Sequence, residues 1–207
     1  KEINILFANM KLSALILIPT ISSLLVALSA APKKPIMSWP PASETNYVDV
    51  DKFDLDPDLE ITLWAKSPLF YNPTNMSIDP KGRIWVTEGV NYREKLGIRR
   101  NAGDRIIVLI DTDQDGKADQ SKVFLQDPYL ESPLGISVFD NKIIISQPPD
   151  IVIYTDVNRD LKFDPKIDKK EILLTGFNGR QHDHSLHSIT SGPDGKWYFN
   201  SGNCGAI

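Results

Sequence analysis

Beyond residue 58 the chain is a succession of short apolar runs separated by Pro, Gly, Asp and Asn. The runs are Ile61 to Ala65, Met76 to Ile78, Arg83 to Thr87, Arg105 to Ile110, Val123 to Leu125, Ile136 to Phe139, Lys142 to Ser146, Ile151 to Thr155, Glu171 to Thr175, Ser188 to Ser191 and Lys196 to Phe199. They are rich in Val, Ile, Thr and aromatic residues, and none is long enough for an ordinary helix. The pattern therefore predicts strands and an all-β class.

The strands recur as units. "NMSIDPKGRIWVTEG" from Asn75 returns as "GISVFDNKIIISQPP" from Gly135 and as "SITSGPDGKWYFNSG" from Ser188. Each is two strands around a tight turn holding Gly82, Asn141 or Gly195, residue types that accept a positive φ. Between them a strand, an acidic loop and a second strand appear twice, from Arg105 to Leu125 and from Asp150 to Leu174. Four strands in about 50 residues is the period of a propeller blade. The expected architecture is a partial β-propeller, six-bladed in its full form, with about two and a half blades over residues 59–207. Blade units run from 73 to 125 and from 132 to 175, and a third opens near 184. Such rings close only with at least four blades, so the chain reads as a piece of a longer protein.

The first 58 residues are different. From Met10 to Ala31 one basic residue, Lys11, precedes an apolar run flecked with Pro19, Thr20 and serines and ending in small residues, the layout of a secretory signal peptide. The run is too short and too polar for a membrane anchor. Residues 1–31 are expected to be leader and signal peptide, with 1–9 of no structural meaning, and 32–58 an irregular arm. The protein is then exported, to the periplasm or beyond, with membrane association confined to the full-length form. A net charge of −4 without a basic stripe excludes a nucleic-acid surface. Cys204, the single cysteine, has no partner for an internal disulfide and is expected to be a buried small residue, with a partner beyond residue 207 as the alternative.

Two segments carry chemistry. "DTDQDGKAD" sets Asp111, Asp113 and Asp115 at alternate positions, with Gly116 next and Asp119 ninth, the first part of a calcium loop. Lys122 stands where an EF-hand has its bidentate Glu, so an Asx-rich turn is the competing reading. The second loop keeps Asp156, Asn158, Asp160 and Asp164 but has Leu161 in place of the glycine. In "GRQHDHSLHS" all three histidines, His182, His184 and His187, fall within six residues beside Asp183. Histidine exchanges a proton near neutral pH and an adjacent carboxylate orients it or holds a hydroxyl. Hydrogen-bonded loop histidines at a blade entry are the competing reading, and a metal site is the weaker one, because the spacing fixes no third soft ligand for zinc. The long connection "EGVNYREKLGIRRNAGDRI" should open on the same face as the histidine segment. Its Asn91, Tyr92, Arg93, Arg99 and Arg100 suit an anionic cofactor or a sugar, and equally a solvated insertion.

"HDHSLHSITSGPDGKWYFNSGN" resembles the segment of soluble quinoprotein glucose and sorbosone dehydrogenases in which a histidine precedes a "GPDGxxY" hairpin by eight residues. His184 stands eight before Gly192. Residues 44–207, through their "GVNYR", "AGDRI", "DTDxDGKAD" and "QHDHxxH" blocks, are still more similar to the membrane-bound dehydrogenase family of planctomycetes and verrucomicrobia. There such a propeller is commonly followed by helical repeats and a cytochrome c domain. The resemblance implies oxidation of a sugar or alcohol with pyrroloquinoline quinone (PQQ) as acceptor. It assigns His184 as general base and Asp183 as a substrate contact, and Arg93 is the substrate-binding choice within the long connection. The basic residues that hold the quinone in the sugar dehydrogenases belong to later blades, so this stretch alone is expected to be inactive. Two alternatives stand beside it, a calcium-dependent lactonase-like hydrolase and a non-catalytic binding propeller.

Overall fold

The structure, a computed structural model, describes residues 4–9, 49–92, 100–178 and 184–203. It is all-β: apart from a 3-10 turn at Val50–Lys52, its regular elements are twelve strands. These are β1 (Asn4–Asn9), β2 (Glu60–Lys66), β3 (Pro73–Ile78), β4 (Ile84–Glu88), β5 (Arg105–Ile110), β6 (Gln120–Gln126), β7 (Gly135–Phe139), β8 (Lys142–Gln147), β9 (Asp150–Thr155), β10 (Lys169–Thr175), β11 (Leu186–Ser191) and β12 (Trp197–Ser201). All eleven expected strands are present. The described residues contain no helix long and apolar enough to cross a membrane.

Strands β3 to β6 form one antiparallel four-stranded meander, β7 to β10 a second, and β11 and β12 a hairpin. The leading strands β3, β7 and β11 lie side by side and run the same way. Thr74 Oγ1 donates to the Pro133 carbonyl, Asn75 Nδ2 to the Leu134 carbonyl at 3.1 Å, and the Val138 amide to Ser77 Oγ at 3.1 Å. The Asn75 amide also reaches Ser188 Oγ at 3.2 Å, joining β3 to β11. Gly135 is required where β7 meets β11, because a Cβ there would stand 2.5 Å from the His187 carbonyl oxygen. Four-stranded meanders with their first strands gathered inward are the blades of a β-propeller.

The sheets stack through apolar faces. On β4 and β5, Ile84, Val86, Ile107 and Leu109 turn toward Trp64, Ala65 and Phe70, while Trp85, Ile106 and Val108 turn toward the second blade. On β8, Ile143 and Ile145 face the first blade and Ile144 faces Leu186 and Ile189. Sheets covered on both sides read as continuous apolar runs such as "RIIVLI", whereas one-sided sheets alternate.

One expectation is corrected. Residues 1–9 were expected to have no structural role, yet β1 pairs antiparallel with β2, from Asn4 opposite Lys66 to Asn9 opposite Glu60. The segment "NILFAN" is strand-forming in composition, and β2 joins neither four-stranded sheet, so its edge groups need a partner. The signal-peptide segment 10–31 lies outside the described residues, as does Cys204.

The β3–β4 turn is organised by one carboxylate. Asp79, 4% exposed, accepts the amides of Lys81 at 2.9 Å and Arg83 at 3.1 Å, Arg83 Nε at 2.6 Å and the Trp85 indole N–H at 3.0 Å. Burial alone would raise its pKa, but the Trp85 and Arg83 donors outweigh it and hold the carboxyl below its ordinary value. Stabilisation by a carboxylate with a depressed pKa is present above the ordinary range and lost as the pH falls through the folded value. Asp79→Asn should therefore cost about 1–3 kcal/mol at neutral pH and flatten the loss of stability on acidification, as measured by urea unfolding at a series of pH values.

Candidate functional site

The strand directions give the molecule two ends. One carries the tight hairpin turns and the acidic loops 111–119 and 156–168. The other carries the long β4–β5 connection, the links between blades, and His184.

At the second end His184 is exposed, directly before β11, while Ser185 and Leu186 after it are fully buried. Its backbone is clamped from β12: the Gly202 amide donates to the Ser185 carbonyl at 2.7 Å, and a Cβ on Gly202 would come 2.7 Å from the His184 carbonyl oxygen. A solvent-facing imidazole thus stands on an anchored backbone. The Ser185 hydroxyl beside it is buried with no hydrogen-bond partner among the described residues. His187, half-buried, lies within β11. His182, Asp183 and Arg93 lie outside the described residues.

The long connection is held by two buried carboxylates that sequence reasoning had not singled out. Glu88, fully buried at the end of β4, accepts Arg105 Nε and Nη2, Arg100 Nη1, all at 2.6 Å, and the Tyr71 amide at 2.8 Å. Arg105 also lies 5.7 Å from the centre of the Tyr71 ring. Its hydrogen bonds to Glu88 raise its pKa further, so it stays cationic despite partial burial. Asp104, also fully buried, accepts the amides of Val90 at 2.9 Å, Asn91 at 3.2 Å and Ser132 at 2.8 Å, pinning the connection to the link between blades. Burial raises its pKa, and the Ser132, Asn91 and Val90 amides oppose that shift. Asn91 exchanges hydrogen bonds with both backbone groups of Arg100. The "EGVN" and "AGDR" blocks are thus a polar scaffold, and Arg100 serves it. The clue was present in those blocks: a strand-terminal Glu and an Asp-Arg pair flanking one loop.

At the opposite end Asp111, Asp113 and Asp115 offer carboxylate oxygens all within 4.8 Å of one another. The Gly116 amide, at φ +85°, donates to Asp111 Oδ2 at 2.9 Å, whereas Asp111 Oδ1 is buried with no hydrogen-bond partner among the described residues. Asp119 is turned to the loop itself, accepting Thr112 Oγ1 at 2.6 Å and the Thr112 amide at 3.3 Å. The second loop repeats the backbone and changes the chemistry. Leu161, at φ +66°, donates its amide to Asp156 Oδ2 at 3.0 Å and buries its side chain to 8% exposure. Asp156 Oδ1 accepts the Asp160 amide at 3.2 Å, and Asn158 Nδ2 donates to Asp160 Oδ2 at 3.0 Å. Asp164 caps the Lys166 amide at 2.9 Å. Both oxygens of Asp156 and both of Asp160 have a donor, whereas Asp111 Oδ1 has none among the described residues, so the first loop fits a hard cation better than the second. The cleft between the blades at this end, lined by Arg83, Trp85, Asp140 and Arg159 among others, measures about 110 Å³. That is far below the roughly 300–1,000 Å³ of an ordinary ligand pocket.

A family profile described as "Domain of unknown function (DUF7133)" matches residues 47–206. The chain belongs to that family. The match begins before β2 and covers both complete blades and the β11–β12 hairpin. No curated protein matches the chain. Among solved structures it is similar to an enzyme of carbohydrate-active family AA12 from Trichoderma reesei, at 19% identity over 59% of this chain and 27% of that one, with a TM-score of 0.42. It is also similar to a protein assigned as a gluconolactonase, at 13% identity over 70% and 50% with a TM-score of 0.44. A glucose dehydrogenase matches at 19% identity over 69% and 40%, with a TM-score of 0.40. The chain spans half or less of each of these structures, and at such scores the propeller arrangement rests on the chain's own sheets.

Glu88 is the test of the scaffold. Glu88→Gln leaves two guanidinium groups facing a neutral amide, and breaking a buried charge network in this way costs about 3–5 kcal/mol. Denaturant unfolding should register that loss, and a change below about 1 kcal/mol would show the network to be solvated.

Proposed function

We propose that this propeller belongs to an exported dehydrogenase that oxidises a sugar or another alcohol, with His184 as the base that takes the hydroxyl proton. The supporting observation is the setting of His184: an exposed imidazole on a backbone clamped by β12, at the end of the propeller that carries the long connection. It stands eight residues before the Gly192-Pro193-Asp194-Gly195 turn, the spacing on which the resemblance to quinoprotein dehydrogenases depends. General-base catalysis needs a side chain that exchanges protons near neutral pH and is held in position without being sealed from substrate. Asp183 and Arg93 are the proposed substrate contacts from the flanking loops.

PQQ is the acceptor that the resemblance implies. Its carboxylates call for a cluster of cationic side chains, and Arg100 and Arg105, the guanidiniums fixed by the β4–β5 scaffold, are committed to Glu88. The described residues thus form no clamp for it beside His184. A cytochrome c domain in the complete protein is the proposed electron outlet. Replacing His184 by Ala should lower dye reduction by the complete protein with sugar or alcohol about 10²–10⁴-fold at unchanged melting temperature. Retained turnover would exclude the base role.

Calcium is proposed at Asp111, Asp113 and Asp115, where it would supply charge neutralisation and coordinate the buried Asp111 Oδ1. This end of the blades is remote from His184, so the ion's role is structural and the lactonase-like reading, which needs a catalytic metal, is the weaker one. Calcium at a hundredfold excess over its Kd should stabilise the protein by about 2.7 kcal/mol. The thermal shift should vanish with chelator and in Asp111→Asn, and should survive in Asp156→Asn. An equal loss in both variants, or no shift in the parent, would assign the loops to turn formation alone.

A further inference from the structure

The outer strands share an irregularity that the repeat does not announce. In the pairing of β1 with β2, Ile5 lies opposite Ala65 and Leu6 opposite Leu63, so Trp64 is bulged out of the ladder. In β5–β6, Ile106 lies opposite Leu125 and Ile107 opposite Val123, which bulges Phe124. In β9–β10, Val152 lies opposite Ile172 and Ile151 opposite Leu174, which bulges Leu173. Trp64, Phe124 and Leu173 are each the fifth residue of a seven-residue outer strand.

Two of these bulges are covered in the same way. The Ala118 amide donates to the Trp64 carbonyl at 2.8 Å, and the Phe163 amide to the Phe124 carbonyl at 2.8 Å. Counting from Asp111 and Asp156, Ala118 and Phe163 are both the eighth residue of an acidic loop, and each loop belongs to the blade that follows the bulged strand. The side chains follow the amides: Ala118 packs with the Trp64 cluster, and the Phe163 ring stands 6.3 Å from that of Phe124. A bulge leaves a residue out of the ladder, and here the next blade's loop satisfies what the ladder does not. The acidic loop is thus a latch between blades as well as a turn.

The third bulge has no latch among the described residues. No amide from outside its own sheet reaches the Leu173 carbonyl. Leu173 is 43% exposed where Phe124 is 1% and Trp64 8%, and Ile172 and Leu174 beside it are 59% and 43% exposed. We propose that this face of β10 is the receptor for a third strand, acidic loop and strand hairpin, laid within the same blade on the edge of β12 that pairs with no described strand. The eighth loop residue of that hairpin is apolar and donates its amide to Leu173.

The experiment supplies such a hairpin in cis. A copy of residues 150–175 is grafted behind Ile207, beside a control graft in which the loop copied from 156–168 is replaced by a Gly-Ser segment of equal length. The intact graft should raise the melting temperature by about 2–8 °C over the control and lower the binding of an apolar dye to the chain. A third graft with Asp at the position copied from Phe163 keeps both strands and should fall back to the control. Equal melting temperature and dye binding in all three would overturn the proposal, as would an intact graft no more stable than the parent chain.

Discussion

The central strands of the two complete blades, β4, β5, β8 and β9, are buried on both faces, and the rest of the structure follows from that constraint. β8 turns Ile143 and Ile145 to one side and Ile144 to the other, all nearly inaccessible to water, so neither face can serve as a surface. A sheet of this kind is stable only between two others, and the natural solution is a ring of blades. Polar residues then have little room. They gather at the two ends of the strands, where the Thr74, Asn75 and Ser77 contacts tie the leading strands together and the buried carboxylates of Glu88, Asp104 and Asp79 brace the loops.

The two acidic loops show how one backbone carries different chemistry. Both place their first carboxylate over the amide of the sixth residue and both hold that residue at positive φ. With Gly116 this conformation is free of strain and the loop faces water with its carboxylates converging. With Leu161 it costs about 1–2 kcal/mol, and burial of the leucine side chain offsets that with roughly 1.5–3 kcal/mol. Asn158 supplies from the protein a donor that the first loop would draw from a cation. The same loop thus gathers water-facing carboxylates in one blade and adds a leucine to the apolar core in the next.

Much of the fold was legible because apolar runs and turn residues report local structure. Eleven strands, the blade period and the placement of His184 at the end of the long connection all follow from pattern and from strand direction. What was not legible depends on register and burial. Nothing in "QSKVFLQ" distinguishes Phe124 as bulged, since the bulge exists only relative to β5. Glu88 drew no reading of its own, and Arg100 suited an anionic cofactor, a sugar or a solvated insertion, because their pairing spans 12 residues and their burial comes from neighbours. Asp119 fitted a ligand position by spacing and instead serves Thr112, a choice made by local geometry that spacing cannot express. The role of β1 was missed because its partner lies more than 50 residues away.

Rigidity is distributed unequally between the two ends, and this bears on where chemistry belongs. At the acidic end, side chains cap backbone amides within a few residues, as Asp79 and Asp160 do, so each turn is stiff by itself. At the other end the braces run between elements: Asp104 reaches from β5 to Ser132, Glu88 reaches Tyr71, and Gly202 presses on His184. Braces of that kind position one loop against another and leave their tips open to solvent. An exposed imidazole on an anchored backbone is what such an arrangement produces, and the base role proposed for His184 asks for both properties at the same place.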